Sequence, residues 1–272
     1  MWPYIGVNGF QSLTDAGAAL TTCRSLGLVH GTSRIAAIGC AADPRTVRNE
    51  APHSPRKVPS REVLRDIFFH CRSEVATSLH FDLRIRERGN PRGNSLEELR
   101  PFYRSLFPGL QNLIEFVDPS LIYSLQLNGI PFIAEVERLK NLFPTIHLIY
   151  QLRRESMALP EEILRGELRR LNGIASYILI DASAGEGKVL ASSDAIRWLE
   201  IIRETCPHAI PAIAGGLSPD NLEKFWNSIS ANISRGDISI DAESGVRTPL
   251  DDSLDIDRVN QFYRAGVRCL AV

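Results

Sequence analysis

The sequence carries almost no net charge, few lysines and no long apolar run. Its 31 Lys and Arg residues are balanced by 32 Asp and Glu, which gives a formal charge of −1 at pH 7. That balance provides no overall field to attract nucleic acid or an anionic membrane. Basic charge comes mostly from arginine, since the lysines are only Lys57, Lys140, Lys188 and Lys224. No apolar run approaches the ~18 residues that a membrane span needs, so we expect neither a nucleic-acid partner nor a membrane partner.

The cysteines lack the spacing of a metal site or a disulfide scaffold. They are few and scattered, with no CxxC pair and no Cys/His ligand pattern: Cys23, Cys40, Cys71, Cys206 and Cys269. The first residues, Met1–Tyr4, show no basic segment followed by an apolar stretch, as a secretory signal would. We therefore expect no metal and a reducing, cytoplasmic location.

Short apolar runs recur along the whole chain and predict buried parallel strands. Hydrophobic residues make up 44% and charged residues 23% of the 272 positions, enough to build a sizeable core. Each run is apolar on both faces, as in strands that helices cover on one side. The eight predicted strands are Tyr4–Val7, Arg34–Gly39, Val75–Phe81, Ile122–Leu127, Ile146–Leu152, Tyr177–Asp181, Ile210–Ala214 and Ile238–Asp241.

Helical patterns fill the intervals between these strands. They cover Thr14–Leu26, Ser60–Cys71, Leu96–Leu106, Ile133–Leu142, Glu161–Leu171, Ser193–Thr205, Pro219–Ser228 and Asp257–Ala265. Ser218 followed by Pro219 has the form of a cap and a first helical residue. Strand then helix, repeated eight times, predicts an α/β fold, a single parallel (β/α)8 TIM barrel over residues 1–272. An open doubly wound sheet would need a domain break that the composition does not show.

Two long loops, residues 41–59 and 82–95, follow the second and third predicted strands. In a barrel both lie at the carboxyl ends of the strands, where active sites are built. Both are rich in arginine, although a solvated surface loop is also commonly polar.

Glycine-bearing turns follow the last three predicted strands. Glycine lets backbone amides approach an anion, and barrels often bind phosphate at these turns. The candidate phosphate-binding residues are Gly185, Gly187, Lys188, Gly215, Gly216, Ser244 and Gly245. Plain tight turns are the structural alternative. A P-loop is excluded, because Ala182 and Val189 stand where its first glycine and its Ser/Thr belong.

Several segments resemble phosphoribosylanthranilate isomerase, a family of tryptophan biosynthesis. The C-terminal third carries the specific part of this resemblance, in Tyr177–Asp181, Gly187-Lys188, Ala214–Asn221 and Ile240–Val246. More permissive similarities occur in the expected order at residues 7–16, 54–60 and 125–129.

The resemblance implies an Amadori rearrangement of an aminoaldose phosphate to an aminoketose phosphate, without cofactor or metal. It implies that Asp181 is the general acid, which opens the furanose ring. It further implies that Arg56, Gln126 and Asp241 bind the substrate. From the residues alone, Asp181 could instead cap a turn and Arg56 could be a solvent-facing loop residue. The expected partner is a phosphorylated small molecule, and the protein is expected to be a monomer or homodimer.

The chain departs from the family at the proton-transfer positions. Asn8 stands where the resemblance expects the cysteine base, and a carboxamide has no basic lone pair near neutral pH. Cys40, at the end of the neighbouring predicted strand, could supply a thiolate, or could be a small buried hydrophobic residue. Asn128 replaces a histidine, and Glu243 would place a carboxylate beside a bound phosphate.

Three hypotheses follow from these matches and departures. The chain is an isomerase with a relocated base, or a divergent relative that acts on another phosphorylated small molecule. The third hypothesis is a non-catalytic or regulatory protein that binds a phosphorylated ligand on the same barrel, because barrels host many functions.

Overall fold

The computed structural model describes residues 1–52, 57–82, 96–128, 133–181, 189–233 and 238–270. All eight strands are parallel and close into a barrel in sequence order, β1 pairing with β8. This confirms the predicted TIM barrel, whereas a single domain over 1–272 stays a prediction. The strands are β1 Tyr4–Asn8, β2 Ile35–Ala42, β3 Ala76–Asp82, β4 Ser124–Asn128, β5 His147–Arg153, β6 Tyr177–Asp181, β7 Ile210–Ile213 and β8 Ser239–Ala242.

The helices surround the barrel and pack on the outer faces of the strands. They are α1 Leu13–Ser25, α2 Pro44–Val47, α3 Arg61–Cys71, α4 Leu96–Val117, α5 Ile133–Leu142, α6 Arg154–Met157, α7 Glu161–Leu171, α8 Ser192–Thr205, α9 Leu222–Ile229 and α10 Ile256–Leu270. In α7 the apolar residues Leu164, Leu168 and Leu171 recur at helical spacing and are all buried. Among the described residues, no helix is both long and apolar enough to cross a membrane.

Two predicted elements differ from the structure around the carboxyl ends of the strands. The helix predicted to start at Pro219 begins at Leu222, because the Asn221 side chain holds the preceding residues in a turn. Its Oδ1 accepts from the Ser218 amide at 2.9 Å and its Nδ2 donates to the Gly216 carbonyl at 2.7 Å. The first long loop starts later than predicted, because β2 continues to Ala42, and it contains the short helix α2.

Apolar side chains fill the barrel interior near the amino ends of the strands. Alternate residues of each strand point inwards, and the inward set near the amino ends forms its own buried cluster of Tyr4, Ile35, Ala37, Ala76, Ile149, Tyr177, Leu179 and Ala212. The rings of Tyr4 and Tyr177 meet edge to face with centroids 5.1 Å apart. This plug leaves only the carboxyl ends of the strands available for a ligand site.

Candidate functional site

A layer of polar side chains lies directly above the apolar plug. We call it the mouth layer, and each member is at least nine-tenths buried: Asn8, His80, Gln126, Asn128, Gln151, Asp181 and Asp241. Polar groups are kept in such a place only when they bond to one another or to a ligand. The mouth layer is therefore the natural position for chemistry in this barrel.

A hydrogen-bonded chain joins the two aspartates of the mouth layer. Asn8 Nδ2 donates to Asp241 Oδ2 at 3.0 Å and to Gln126 Oε1 at 3.3 Å. Gln126 Nε2 donates to Gln151 Oε1 at 3.0 Å, and Gln151 Nε2 donates to Asp181 Oδ2 at 2.7 Å. The chain runs from β8 through β1, β4 and β5 to β6, so three carboxamides fix the positions of both carboxyl groups.

Asn8 fits its place because Gly39 lies opposite it in the β1–β2 register. A β-carbon on Gly39 would lie 1.7 Å from Asn8 Oδ1, which no side chain could tolerate. Both hydrogens of the Asn8 amide nitrogen are used, one towards each hydrogen-bond partner. Asn8 thus connects the network, and its carboxamide offers no proton acceptor of useful basicity.

Burial favours the neutral form of the Asp241 carboxyl group. It raises the pKa of Asp241 well above the ordinary value, and Coulombic interactions with Glu243 and Asp181 raise it further, while hydrogen bonds from the Ala242 backbone and from Asn8 oppose them. Gly6 makes room for this carboxyl group, because a β-carbon there would lie 3.2 Å from Asp241 Cγ and 2.8 Å from the Tyr4 ring. Within the described part of the chain, Asp241 Oδ1 has no hydrogen-bond partner, so it is available to a ligand.

His80 belongs to the mouth layer, although the sequence analysis did not single it out. Its Nε2 lies 3.4 Å from Asn128 Nδ2, and its Nδ1 lies 4.0 Å from Glu243 Oε2. Glu243, unlike the layer below it, remains one-third exposed. The signal in the sequence was the alternation along β3, in which residues 76, 78 and 80 share the inward face. Gln151 was not predicted either, although the alternation along β5 likewise places it on the inward face.

The glycine turns after β7 and β8 pack against each other. Gly215 and Gly216 have φ of +92° and +66°, conformations that favour glycine. Ser244 and Gly245 lie in a single 3-10 turn after β8. A β-carbon on Gly245 would lie 2.0 Å from the Leu217 carbonyl oxygen, so the two turns are in backbone contact.

The amides of these four residues form what we call the cradle. Over the residues the structure describes, the backbone N–H groups of Gly215, Gly216, Ser244 and Gly245 donate to no protein acceptor. All four residues are partly exposed to solvent. Unpaired amides at adjacent glycine turns are the arrangement that binds phosphate oxygens in barrels.

Replacing Gly245 by alanine is expected to separate the two turns. The new methyl group would meet the Leu217 carbonyl, so backbone must move, at a cost of about 1–3 kcal/mol in unfolding free energy. Phosphate affinity is expected to fall with it, as measured by calorimetric titration beside urea unfolding. The matched control is Gly166→Ala in α7, where a β-carbon meets nothing within 4 Å. An unchanged phosphate affinity in Gly245→Ala would show that the contact between the turns is not needed.

Cys40 is not brought together with the mouth layer. Gly39 pairs with Asn8 and shares its inward face, so the next residue of β2 points outwards. Cys40 is completely buried in the cluster between sheet and helices. Burial raises the pKa of its thiol well above the ordinary value. Cys40 is therefore placed as a small buried hydrophobic residue and not as a thiolate at the site.

Four predicted site residues lie outside the described residues: Arg56, Gly185, Gly187 and Lys188. Lys57, in the loop after β2, forms an ion pair with Asp252 in the segment after β8. Among the described residues, no group of three His, Cys, Asp or Glu side chains is placed to hold a metal ion.

No protein-family model and no curated protein sequence matches the chain. Solved structures match it over nearly its whole length. Phosphoribosylanthranilate isomerase from Pyrococcus furiosus aligns with 98% of this chain and 99% of its own, at 16% identity and a TM-score of 0.57. 3-Hexulose-6-phosphate synthase from Salmonella typhimurium aligns with 98% of this chain and 99% of its own, at 11% identity and a TM-score of 0.55.

The structural likeness extends to barrels with other names. A xylanase from Cellvibrio japonicus aligns with 100% of this chain and 98% of its own, at 10% identity and a TM-score of 0.58. Identities this low show the fold alone, and fold alone does not select an activity. The chain is a (β/α)8 barrel with phosphoribosylanthranilate isomerase among its structural neighbours.

Proposed function

We propose that this barrel binds a phosphorylated, sugar-type small molecule at the carboxyl ends of its strands. The observation that carries the proposal is the cradle: the turns after β7 and β8 are in backbone contact, and four of their amides have no partner among the described residues. A phosphate group seated there would place the remainder of the ligand over the mouth layer. Lys188, Gly185, Gly187 and Arg56 stay in the proposal as further contacts to the ligand's anionic groups.

The chemistry that we propose is aldose–ketose isomerisation of the Amadori type, with Asp181 as the general acid. Ring opening requires a proton on the ring oxygen, and Asp181 stands at the end of β6 where it would meet that oxygen. Asp241, whose neutral form is favoured by burial, donates a hydrogen bond to the ligand through Oδ1, which has no partner among the described residues. The carboxamides of Asn8, Gln126 and Gln151 keep the two carboxyl groups apart and oriented.

The names of two structural neighbours support the phosphate part of the proposal. Phosphoribosylanthranilate isomerase and 3-hexulose-6-phosphate synthase both carry a phosphorylated sugar in their names. The xylanase has a comparable TM-score, so this support is secondary to the geometry of the cradle.

A paired binding and turnover assay tests the proposed function. Thermal unfolding is followed with ribose 5-phosphate, N-(5'-phosphoribosyl)anthranilate and unphosphorylated ribose as the control. A ligand at a hundred times its Kd stabilises the folded state by about 2.7 kcal/mol, which raises Tm by on the order of 5 °C for a chain of this size. We expect that rise with the phosphate esters only.

The turnover arm separates the hypotheses. Conversion of N-(5'-phosphoribosyl)anthranilate, or of another aldose phosphate, to the ketose supports the isomerase. Stabilisation by phosphate esters without any conversion would favour the non-catalytic phosphate-ligand-binding protein. A thermal profile that no phosphate ester alters would contradict both.

A further inference from the structure

The proposed isomerisation needs a base, and neither Asn8 nor Cys40 provides one. Asn8 is a carboxamide that donates both of its amide hydrogens within the network, and Cys40 points away from the mouth layer. The base must accept the proton on C2. This carbon is next to C1, whose bond to the ring oxygen breaks when Asp181 protonates that oxygen. It must therefore reach the centre of the mouth from another strand.

We propose that His80 is this base. The inference rests on the proposed function and names the residue that removes the carbon-bound proton. His80 stands on β3 and Asp181 on β6, nearly opposite in the eight-stranded barrel, so a ligand between them would have the base on one side and the acid on the other. General acid–base catalysis of an isomerisation needs such a pair within reach of the same substrate.

The contacts of His80 leave one ring nitrogen for the substrate. Nε2 is engaged by the carboxamide of Asn128 at 3.4 Å, while Nδ1 has no hydrogen-bond partner among the described residues. A carboxamide can meet a ring nitrogen through its oxygen or its nitrogen. In the structure Asn128 Nδ2 faces Nε2. With this amide turned by 180°, its oxygen accepts the Nε2 proton, and Nδ1 keeps its lone pair and acts as the acceptor.

Glu243 is placed to stabilise the charge that the proton transfer creates. Glu243 Oε2 lies 4.0 Å from His80 Nδ1. The two residues are distant in sequence, since His80 is on β3 and Glu243 directly follows β8. When Nδ1 takes the proton, the resulting imidazolium stands beside the Glu243 carboxylate. This position gives a reason for Glu243, which by its place in the sequence would put a carboxylate beside a bound phosphate.

The reaction balances with the groups present. Asp181 gives its proton to the ring oxygen and the C1–O bond breaks, leaving a C1=N iminium. His80 takes the C2 proton; the C2–H electron pair becomes the C1=C2 double bond, and the C1=N π pair returns to nitrogen. The 2-hydroxyl then returns a proton to Asp181 as C2=O forms, and His80 delivers its proton to C1. Both residues regain their starting states, and no oxidant, reductant or co-reactant is consumed.

Substituting His80 separates a chemical role from a structural one. His80→Gln keeps the size and one polar contact but removes the basic nitrogen, and kcat is expected to fall about 10²- to 10⁴-fold with KM nearly unchanged. The matched control is His147→Gln, since His147 begins β5 at the opposite end of the barrel. Added imidazole is expected to restore part of the activity of His80→Ala, which a purely structural residue would not allow.

The outcomes of this assay distinguish the two proposals. Failure of the wild-type protein to isomerise any aldose phosphate contradicts the proposed function. Wild-type turnover that survives in His80→Gln overturns the assignment of His80 and leaves the function standing. Thermal unfolding of each variant shows that a loss of rate is not a loss of fold.

A ligand-bound crystal structure of the wild-type protein provides a test without substitution. The probe is 4-phospho-D-erythronohydroxamic acid, whose planar hydroxamate imitates the C1=C2 intermediate formed by proton transfer. We expect its oxygens within about 3 Å of His80 Nδ1, a hydrogen-bond distance. A hydroxamate bound with its phosphate in the cradle but remote from His80 would overturn the assignment, and failure of the probe to bind would count against both proposals.

Discussion

Replacing Asp181 by asparagine is expected to lower isomerase turnover by about 10²- to 10⁴-fold. Asparagine keeps the size of the side chain, and its oxygen can still accept the 2.7 Å hydrogen bond from Gln151 Nε2. The network would therefore remain closed while the acid is lost. The expected signature is a fall in kcat with an unchanged affinity for inorganic phosphate, measured by steady-state kinetics and calorimetric titration.

The control for this substitution is Asp257→Asn, at an exposed position in the first turn of α10. It replaces a carboxyl group by the same carboxamide far from the mouth layer and should leave kcat as it was. Activity that persists in Asp181→Asn would exclude Asp181 as the acid. It would favour its simpler role, a carboxylate that receives the end of the carboxamide chain.

Replacing Asp241 by asparagine is expected to stabilise the protein increasingly as the pH rises. The pKa of Asp241 is raised in the folded state, so the folded protein holds a proton that the unfolded chain releases above about pH 4. The contribution of Asp241 to stability is complete below that pH and is lost as the pH rises towards the folded-state value. Over this pH range the unfolding free energy falls by about 1.4 kcal/mol per pH unit because of Asp241. The asparagine variant does not show this fall.

Urea unfolding of both proteins between pH 5 and 8 measures this difference. We expect the two unfolding free energies to converge at low pH and to separate steadily above it, with the variant the more stable. The same substitution should change ligand turnover little, because the amide nitrogen of asparagine can donate in place of the protonated oxygen. A difference in unfolding free energy that stays constant with pH would mean that Asp241 is ionised in the folded protein.

The arrangement of the barrel could be predicted from the sequence because it depends on local patterns. Helices α5 and α7 and strand β6 have the predicted bounds, and the other strands differ by a few residues at their ends. Apolar runs and helical periodicity are properties of neighbouring residues. The start of α9 was wrong because a side-chain contact, from Asn221 back to Gly216, decides it.

The mouth layer was predictable only where a polar residue ends a strand. Asn8, Asp181 and Asp241 come from such positions, whereas Gln126 was named through the family resemblance. The structure brings all four together. The inward face of an apolar strand depends on pairing with distant strands, which local sequence does not reveal. Hence Cys40 looked like a neighbour of Asn8 but faces outwards, while His80 was overlooked.

The cradle is the feature on which the proposed function depends. The sequence showed glycine-bearing turns after the last strands, but not that Gly245 would touch the backbone of Leu217. That contact turns two separate loops into a single surface with four unpaired amides in the described region. In the proposed function, a substrate contacts the mouth layer only if its phosphate group is bound by this surface.

A crystal structure of the protein with inorganic phosphate tests the cradle most directly. We expect phosphate oxygens within about 3 Å of the amides of Gly216 and Gly245, on the side of the turns that faces Asp181. A phosphate bound elsewhere, or a cradle that remains empty at saturating phosphate, would refute the proposed anion site.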